Sequence, residues 1–233
     1  MARAVRLSRA ALAPLSALLL ALAAAPAFAV PFAIQLGPER VVLETPPGFS
    51  DALPHASPRL NDLAERLTSP SNRILAFAIS DGDMRAFNTG ERLSLRRYML
   101  VATPKGLERE RVADEDFTRI VNESLRELGK APESADYMNF LDQQPVGRAH
   151  LLVELRREPN FVSVLQGGKL PPDPRILDKS LDQYMLQTIT LMLARGRALN
   201  LSVYTGYSSQ ADFDWLVDTT RRWVEELRRL NRR

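Results

Sequence analysis

Few side chains in this 233-residue chain have the type and spacing to do chemistry, beginning with two histidines, His55 and His150. They stand far apart in sequence. A metal site built on both would need carboxylates to converge with them, and nothing in the spacing asks for that, so surface or satisfied core histidines are expected. Asp81-Gly82-Asp83 resembles the start of a calcium loop, but the sixth and twelfth positions are Ala86 and Arg92 where glycine and glutamate are required. A turn is the expected reading. Asp212, Asp214 and Asp218 could pair as acid and base, yet acids in a helix's first turn are accounted for by capping and the helix dipole. Asp81, Asp83 and Asp142 are the polar loop residues on which an enzyme would otherwise be built. No G-x-S-x-G, H-E-x-x-H or G-x-x-x-x-G-K-[ST] occurs. A non-enzymatic protein is expected, with no catalytic residue, no cofactor and no metal.

Aromatic residues suggest contact rather than reaction. Trp215 and Trp223 share a broad side of the predicted last helix, with Trp223 in its core stripe and Trp215 off its centre. With Tyr204 and Tyr207 nearby in sequence, Trp215 is a candidate partner-contact residue, set against plain packing at the core edge. Arg96-Arg97, Arg156-Arg157 and Arg221-Arg222 are doublets whose side chains diverge on strands and helices, which fits solvated rims.

The first 29 residues carry arginines at 3, 6 and 9, an apolar run through Leu18-Leu19-Leu20, and then Ala27-Phe28-Ala29. This is the pattern of a secretory signal peptide cleaved after Ala29, with an uncleaved anchor as the alternative. The full chain has 31 Lys and Arg against 28 Asp and Glu. Without the leader's three arginines the two counts are equal, so a global basic field for nucleic acid is not expected. In that remainder arginine outnumbers lysine 24 to 4, which suits anionic envelope components or reflects compositional bias. The chain has no cysteine, which removes disulfides, thiolate ligands and a thiol nucleophile. No second apolar run long enough to span a membrane follows. The expected location is periplasmic or secreted.

The positioning elements follow from periodicity and punctuation. Val41-Val42-Leu43 reads as a strand stopped by Pro46-Pro47-Gly48, after which Phe49 tucks toward the core. Ser57-Pro58 opens a short helix carrying Leu60, Leu63, Ala64 and Leu67 on one face. Arg73 to Ser80 reads as a strand buried on both faces, and Leu93 to Thr103 as its hairpin partner across a loop of about ten residues, longer than usual. Asp114 is expected to cap a helix with Phe117, Val121, Leu125 and Leu128 inward, ended by Gly129. Residues 130–146 read as an excursion with one helical turn. Leu151 to Leu155 and Phe161 to Leu165 are strand candidates, after which Gly167-Gly168 opens a loop lasting to about Leu181. Tyr184 to Leu193 and Leu199 to Tyr204 form a hairpin across residues 194–197. Ser209 and Asp212 suggest a capping box before a helix striped by Phe213, Leu216, Thr220, Trp223, Leu227 and Leu230.

Strands in hairpins with helices between and after them predict one α+β domain over residues 30–233, a mainly antiparallel sheet with helices packed on it. Residues 41–49, the strand Arg97 to Val101, and the closing hairpin and helix through Trp215 and Trp223 together resemble the PsbP-like α/β/α sandwich group. The resemblance is one of layout over most of residues 34–231. It implies a largely non-enzymatic protein and supplies no matched functional residue. The expected function is an accessory module of the cell envelope that binds another envelope protein. The alternative is a small-ligand or lipid-binding domain with a pocket between sheet and helix, residues 167–181 serving as a lid. The mass of the protein recovered from the cell envelope is expected to match a chain beginning at Val30; a chain retaining Arg3, Arg6 and Arg9 contradicts the cleavable leader.

Overall fold

The computed structural model describes residues 31–55, 57–171 and 183–232. The expected leader, and the expected lid from residue 172 to Leu181, lie outside these residues. β1 (Phe32–Leu36) and β2 (Glu39–Leu43) form a separate antiparallel hairpin. β3 (Phe49–Asp51) is followed by α1 (Pro58–Arg66), β4 (Asn72–Ser80), α2 (Asp81–Asn88) and β5 (Arg97–Pro104). Then come α3 (Asp114–Arg126), the short α4 (Tyr137–Asp142), β6 (Ala149–Glu158), β7 (Phe161–Lys169), β8 (Tyr184–Ala194), β9 (Arg197–Tyr207) and α5 (Gln210–Leu230). The seven strands after the hairpin make one sheet in the order β3-β4-β5-β9-β8-β7-β6, and every neighbouring pair is antiparallel. The protein is therefore α+β with a mainly antiparallel sheet.

Side-chain alternation in the central strands assigns each helix to a face. Leu199, Leu201 and Val203 of β9, with Leu186 and Met192 of β8, point toward Leu216, Trp223, Val224 and Leu227 of α5. The β1–β2 hairpin and α4 join that layer through Leu36, Val41, Leu43 and Leu141. Asn231, beyond the end of α5, clamps the hairpin: its side chain accepts from Val42 N at 2.9 Å and donates to Val42 O at 2.8 Å. Trp223 Nε1 donates to Glu44 O at 2.6 Å. On the opposite face α1 and α2 cover one end of the sheet, packing Leu60, Ala64 and Met84 on Phe77, Ile79, Tyr98 and Leu100. α3 covers the other end, setting Phe117 and Val121 against Val162 and Val164. The middle of that second face has no helix over it.

Several local readings need correction. Asp81-Gly82-Asp83 is the first turn of α2, because Ser80 Oγ accepts from Asp83 N at 3.0 Å and caps the helix. β5 starts at Arg97, not Leu93, because Ser94 and Leu95 give their N–H groups to Asp83 Oδ1 at 2.7 and 3.3 Å. Ala113, not Asp114, occupies the cap position of α3. β6 and β7 extend to a tight turn at Pro159-Asn160, with Arg156 to Glu158 paired in the ladder. Ser209 is the cap residue of α5 without a side-chain cap bond, so the expected box is incomplete.

Gly167 and Gly168 lie within β7 instead of opening a loop. A Cβ on Gly168 would sit 2.7 Å from the Arg148 carbonyl oxygen, and one on Gly167 would meet Leu141, Leu152 and Leu186 at 3.0, 2.9 and 3.0 Å. Close packing of the β6 end onto β7 requires glycine there. Gly168→Ala is expected to destabilise the fold by about 1–3 kcal/mol in urea unfolding, while Gly106→Ala, which meets nothing within 4 Å, stays near neutral.

Candidate functional site

The uncovered middle of the second sheet face is a trough. On β9, Asn200, Ser202 and Tyr204 alternate with the buried residues that face α5, and Gln187 lies opposite Tyr204 on β8. Leu100 and Ala102 of β5 complete the floor, and the wall is the end of α1 and the segment after it, Arg66, Leu67, Thr68, Ser69 and Asn72. The volume is about 310 Å³, at the small end of ligand sites, which run from roughly 300 to 1,000 Å³.

A directed chain of hydrogen bonds stiffens this floor. Gln166 Nε2 donates to Gln187 Oε1 at 2.5 Å, and Gln187 Nε2 donates to Tyr204 Oη at 2.6 Å. Burial pushes the Tyr204 hydroxyl above its ordinary pKa, against hydrogen bonds that pull it down, so it stays neutral and keeps its proton to donate. The ring is held by Tyr98, stacked with centroids 4.4 Å apart and planes at 12°. Burial, reinforced by Tyr204, pushes the Tyr98 hydroxyl up as well. Asn200 accepts from Ser202 Oγ at 3.3 Å. Such a floor offers amides and hydroxyls in fixed directions. No carboxylate or imidazole stands among the residues that line it.

The three aromatic candidates do not form one patch. Tyr204 lines the trough. Tyr207, on the α5 side of β9, is 6% exposed within the main core. Trp215 is partly buried against that core, with its ring 6.1 Å from Phe49 and the Arg97 guanidinium 4.1 Å above it. One residue along a strand changes face, and sequence proximity does not show this.

The polar candidates are dispersed. Asp81 accepts from Ser50 Oγ at 2.8 Å, Asp83 in the first turn of α2 accepts from Ser80 Oγ at 2.8 Å, and Asp142 accepts from Lys169 Nζ at 2.8 Å and Tyr184 Oη at 2.7 Å. Those two partners hold the Asp142 carboxyl below its ordinary value, and burial with the same bond pushes the Tyr184 hydroxyl up to about 12. Asp214 accepts from Gln210, and Asp218 pairs with Arg221. His55 is exposed. His150 lies on the edge strand beside Phe140, and burial followed by Arg148 lowers its pKa. Among the described residues no group of three or more His, Asp or Glu side chains could hold a metal ion.

Asp212 is the buried ionic joint of the fold. It is 5% exposed and accepts from Arg97 at the start of β5 and Arg96 just before it at 3.2–3.4 Å, and from the N–H and hydroxyl of Ser208 at 3.1 and 2.9 Å. The Arg96-Arg97 doublet is thus an ionic link from β5 to the start of α5, rather than a simple rim. The signal was Asp212 at the third helical position, where an acid turns back toward the preceding backbone.

No family model matches the chain, and no curated protein matches it. Among solved structures, it is similar to the 1.9 Å crystal structure of the Ran-binding protein Mog1p of Saccharomyces cerevisiae, over 87% of this chain and 93% of that one, at 13% identity and a TM-score of 0.35. That likeness is too distant to lend this chain the other protein's partner.

Burial alone pushes the Asp212 carboxyl up, but the Ser208 hydrogen bonds and the Arg97 and Arg96 guanidinium groups outweigh it and hold the carboxyl below its ordinary value. A depressed folded pKa contributes stability above the unfolded carboxylate value of about 3.9 and loses it as pH falls through the folded value. Asp212→Asn is therefore expected to cost roughly 2 kcal/mol at neutral pH, with the gap to the parent closing below about pH 4 in denaturant titrations. A gap constant across pH contradicts this role.

Proposed function

We propose that this chain is an exported, non-enzymatic accessory module of PsbP-like layout that binds a protein partner in the cell envelope. Export rests on the leader pattern. The partner is held through the trough of the second sheet face, which takes an extended polar segment of that protein. One observation carries the reading: the central strands bear Gln187, Asn200, Ser202 and Tyr204 where a covering helix would demand apolar side chains. Ordered amides and hydroxyls on rigid strands match the N–H and C=O groups of a polypeptide. Among the described residues Arg66, exposed on the wall, makes no ion pair, and it suits an acidic side chain in that segment.

Strand addition is a poorer route to a partner. Edge strand β6 pairs with β7 through two register shifts, and Arg156, Arg157, Glu154 and Glu158 line it with ion pairs. Bulges and charges are how edges are protected from pairing. The apolar cavity between α5 and the β6–β7 end holds about 150 Å³, half the volume of the trough, and supports a lipid chamber less well.

A photo-crosslinking residue at Ser69 is expected to capture one protein in intact cells, and the purified pair to lose at least about ten-fold in affinity when Asn200→Leu and Ser202→Ala are combined, a change that removes both partners of one hydrogen bond, leaves the Gln166–Gln187–Tyr204 chain intact and so keeps or raises the unfolding midpoint. Equal capture from Glu123 on α3, or unchanged affinity in the double variant, overturns the assignment.

A further inference from the structure

The β8–β9 turn consists of Arg195 and Gly196, at φ +53° and +75°. Two such positions in a tight hairpin are taken most easily by Asn, Asp or Gly, so the backbone gives no reason for arginine at the first. An outlier of this kind points to a use for the side chain.

Arg195 lines a cavity of about 540 Å³ together with Arg111, Arg228, Arg232 and Asn231, against the single carboxylate of Asp114. Arg228 is committed to Glu158, which it reaches at 2.7 and 3.3 Å. Among the described residues Arg111, Arg195 and Arg232 make no ion pair. The Arg195 Nε is buried with no hydrogen-bond partner. Arg111 lies across the turn, its Cγ 3.1 Å from where a Cβ on Gly196 would be. Val112 N donates to Gly196 O at 3.0 Å, which ties the segment entering α3 to the same turn.

Like charges around a concavity repel, and guanidinium donors removed from water without an acceptor carry an uncompensated desolvation cost. An anion with several phosphate oxygens relieves both, through charge-assisted and partly bidentate hydrogen bonds. We propose that this cavity, at the opposite end of β9 from Tyr204, is a binding site for an anion bearing two phosphate groups, soluble or in a lipid headgroup. This inference is independent of the trough as a protein site.

Calorimetric titration of the protein purified from the envelope with sodium pyrophosphate, at constant ionic strength near about 0.15 M, is expected to show saturable one-to-one binding with Kd below about 1 mM. Flotation with phosphatidylcholine vesicles containing cardiolipin separates the two sources, since binding there without pyrophosphate binding assigns the anion to a headgroup. Arg195→Asn keeps a residue suited to the turn, so its unfolding midpoint without ligand should hold or rise while binding weakens at least about ten-fold. Arg119→Gln, on the exposed side of α3, should bind as the parent does. Absence of saturable binding in both assays, equal stabilisation by chloride, an undiminished Arg195→Asn, or an equal loss in Arg119→Gln overturns the proposal.

Discussion

Strands β8 and β9 pair over eleven residues without a register shift, from Tyr184 opposite Tyr207 to Ala194 opposite Arg197. The two-residue turn leaves no slack, and a slip of one position would send Leu199, Leu201 and Val203 to the wrong face. Everything else is placed relative to this hairpin. α5 packs on one side of it, β5 and β7 extend the sheet from its two edges, and the apolar ends of the opposite face receive α1, α2 and α3. The same alternation that makes one face a core leaves the other with Asn200, Ser202 and Tyr204 at its centre.

That division of faces explains why the protein carries polar groups in the middle of a sheet. The helices on the second face stand at its two ends, where Phe77, Ile79, Val162 and Val164 demand cover. Between them the side chains hydrogen-bond one another, and the bond directions run from Gln166 through Gln187 to Tyr204. Rigid backbone beneath and paired side chains above make a surface that is pre-organised before anything binds, which lowers the entropy cost of association.

Much of the fold was legible because its signals were periodic. Period-two alternation in Leu199 to Tyr204 and the stripe Leu216, Thr220, Trp223, Leu227 in α5 translated directly into buried faces. Proline at Pro58 marked a helix start correctly, whereas the helix expected to run to Gly129 stops at Arg126 with Glu127 as its cap. What failed was punctuation with two meanings. Asp81-Gly82-Asp83 carries turn residues, yet the Ser80 cap bond makes it a helix start, and Met84 was the apolar clue. Gly167-Gly168 reads as a loop, yet both glycines answer to atoms distant in sequence. The trough was not legible, since its wall and floor come from α1, β5, β8 and β9, and only register brings Gln187 beside Tyr204. Tyr204 was singled out for its aromatic ring, whereas on the trough floor it is its hydroxyl that ends the hydrogen-bond chain from Gln187.

Hydroxyl-radical footprinting of the protein in intact cells, compared with the purified chain, tests the central claim most directly. A partner seated in the trough predicts reduced oxidation of Leu67 and Tyr204 in cells, with Phe87 on α2 labelled equally in both. Equal labelling of Leu67 and Tyr204 in cells and in isolation, with protection confined to other surfaces, would contradict the account.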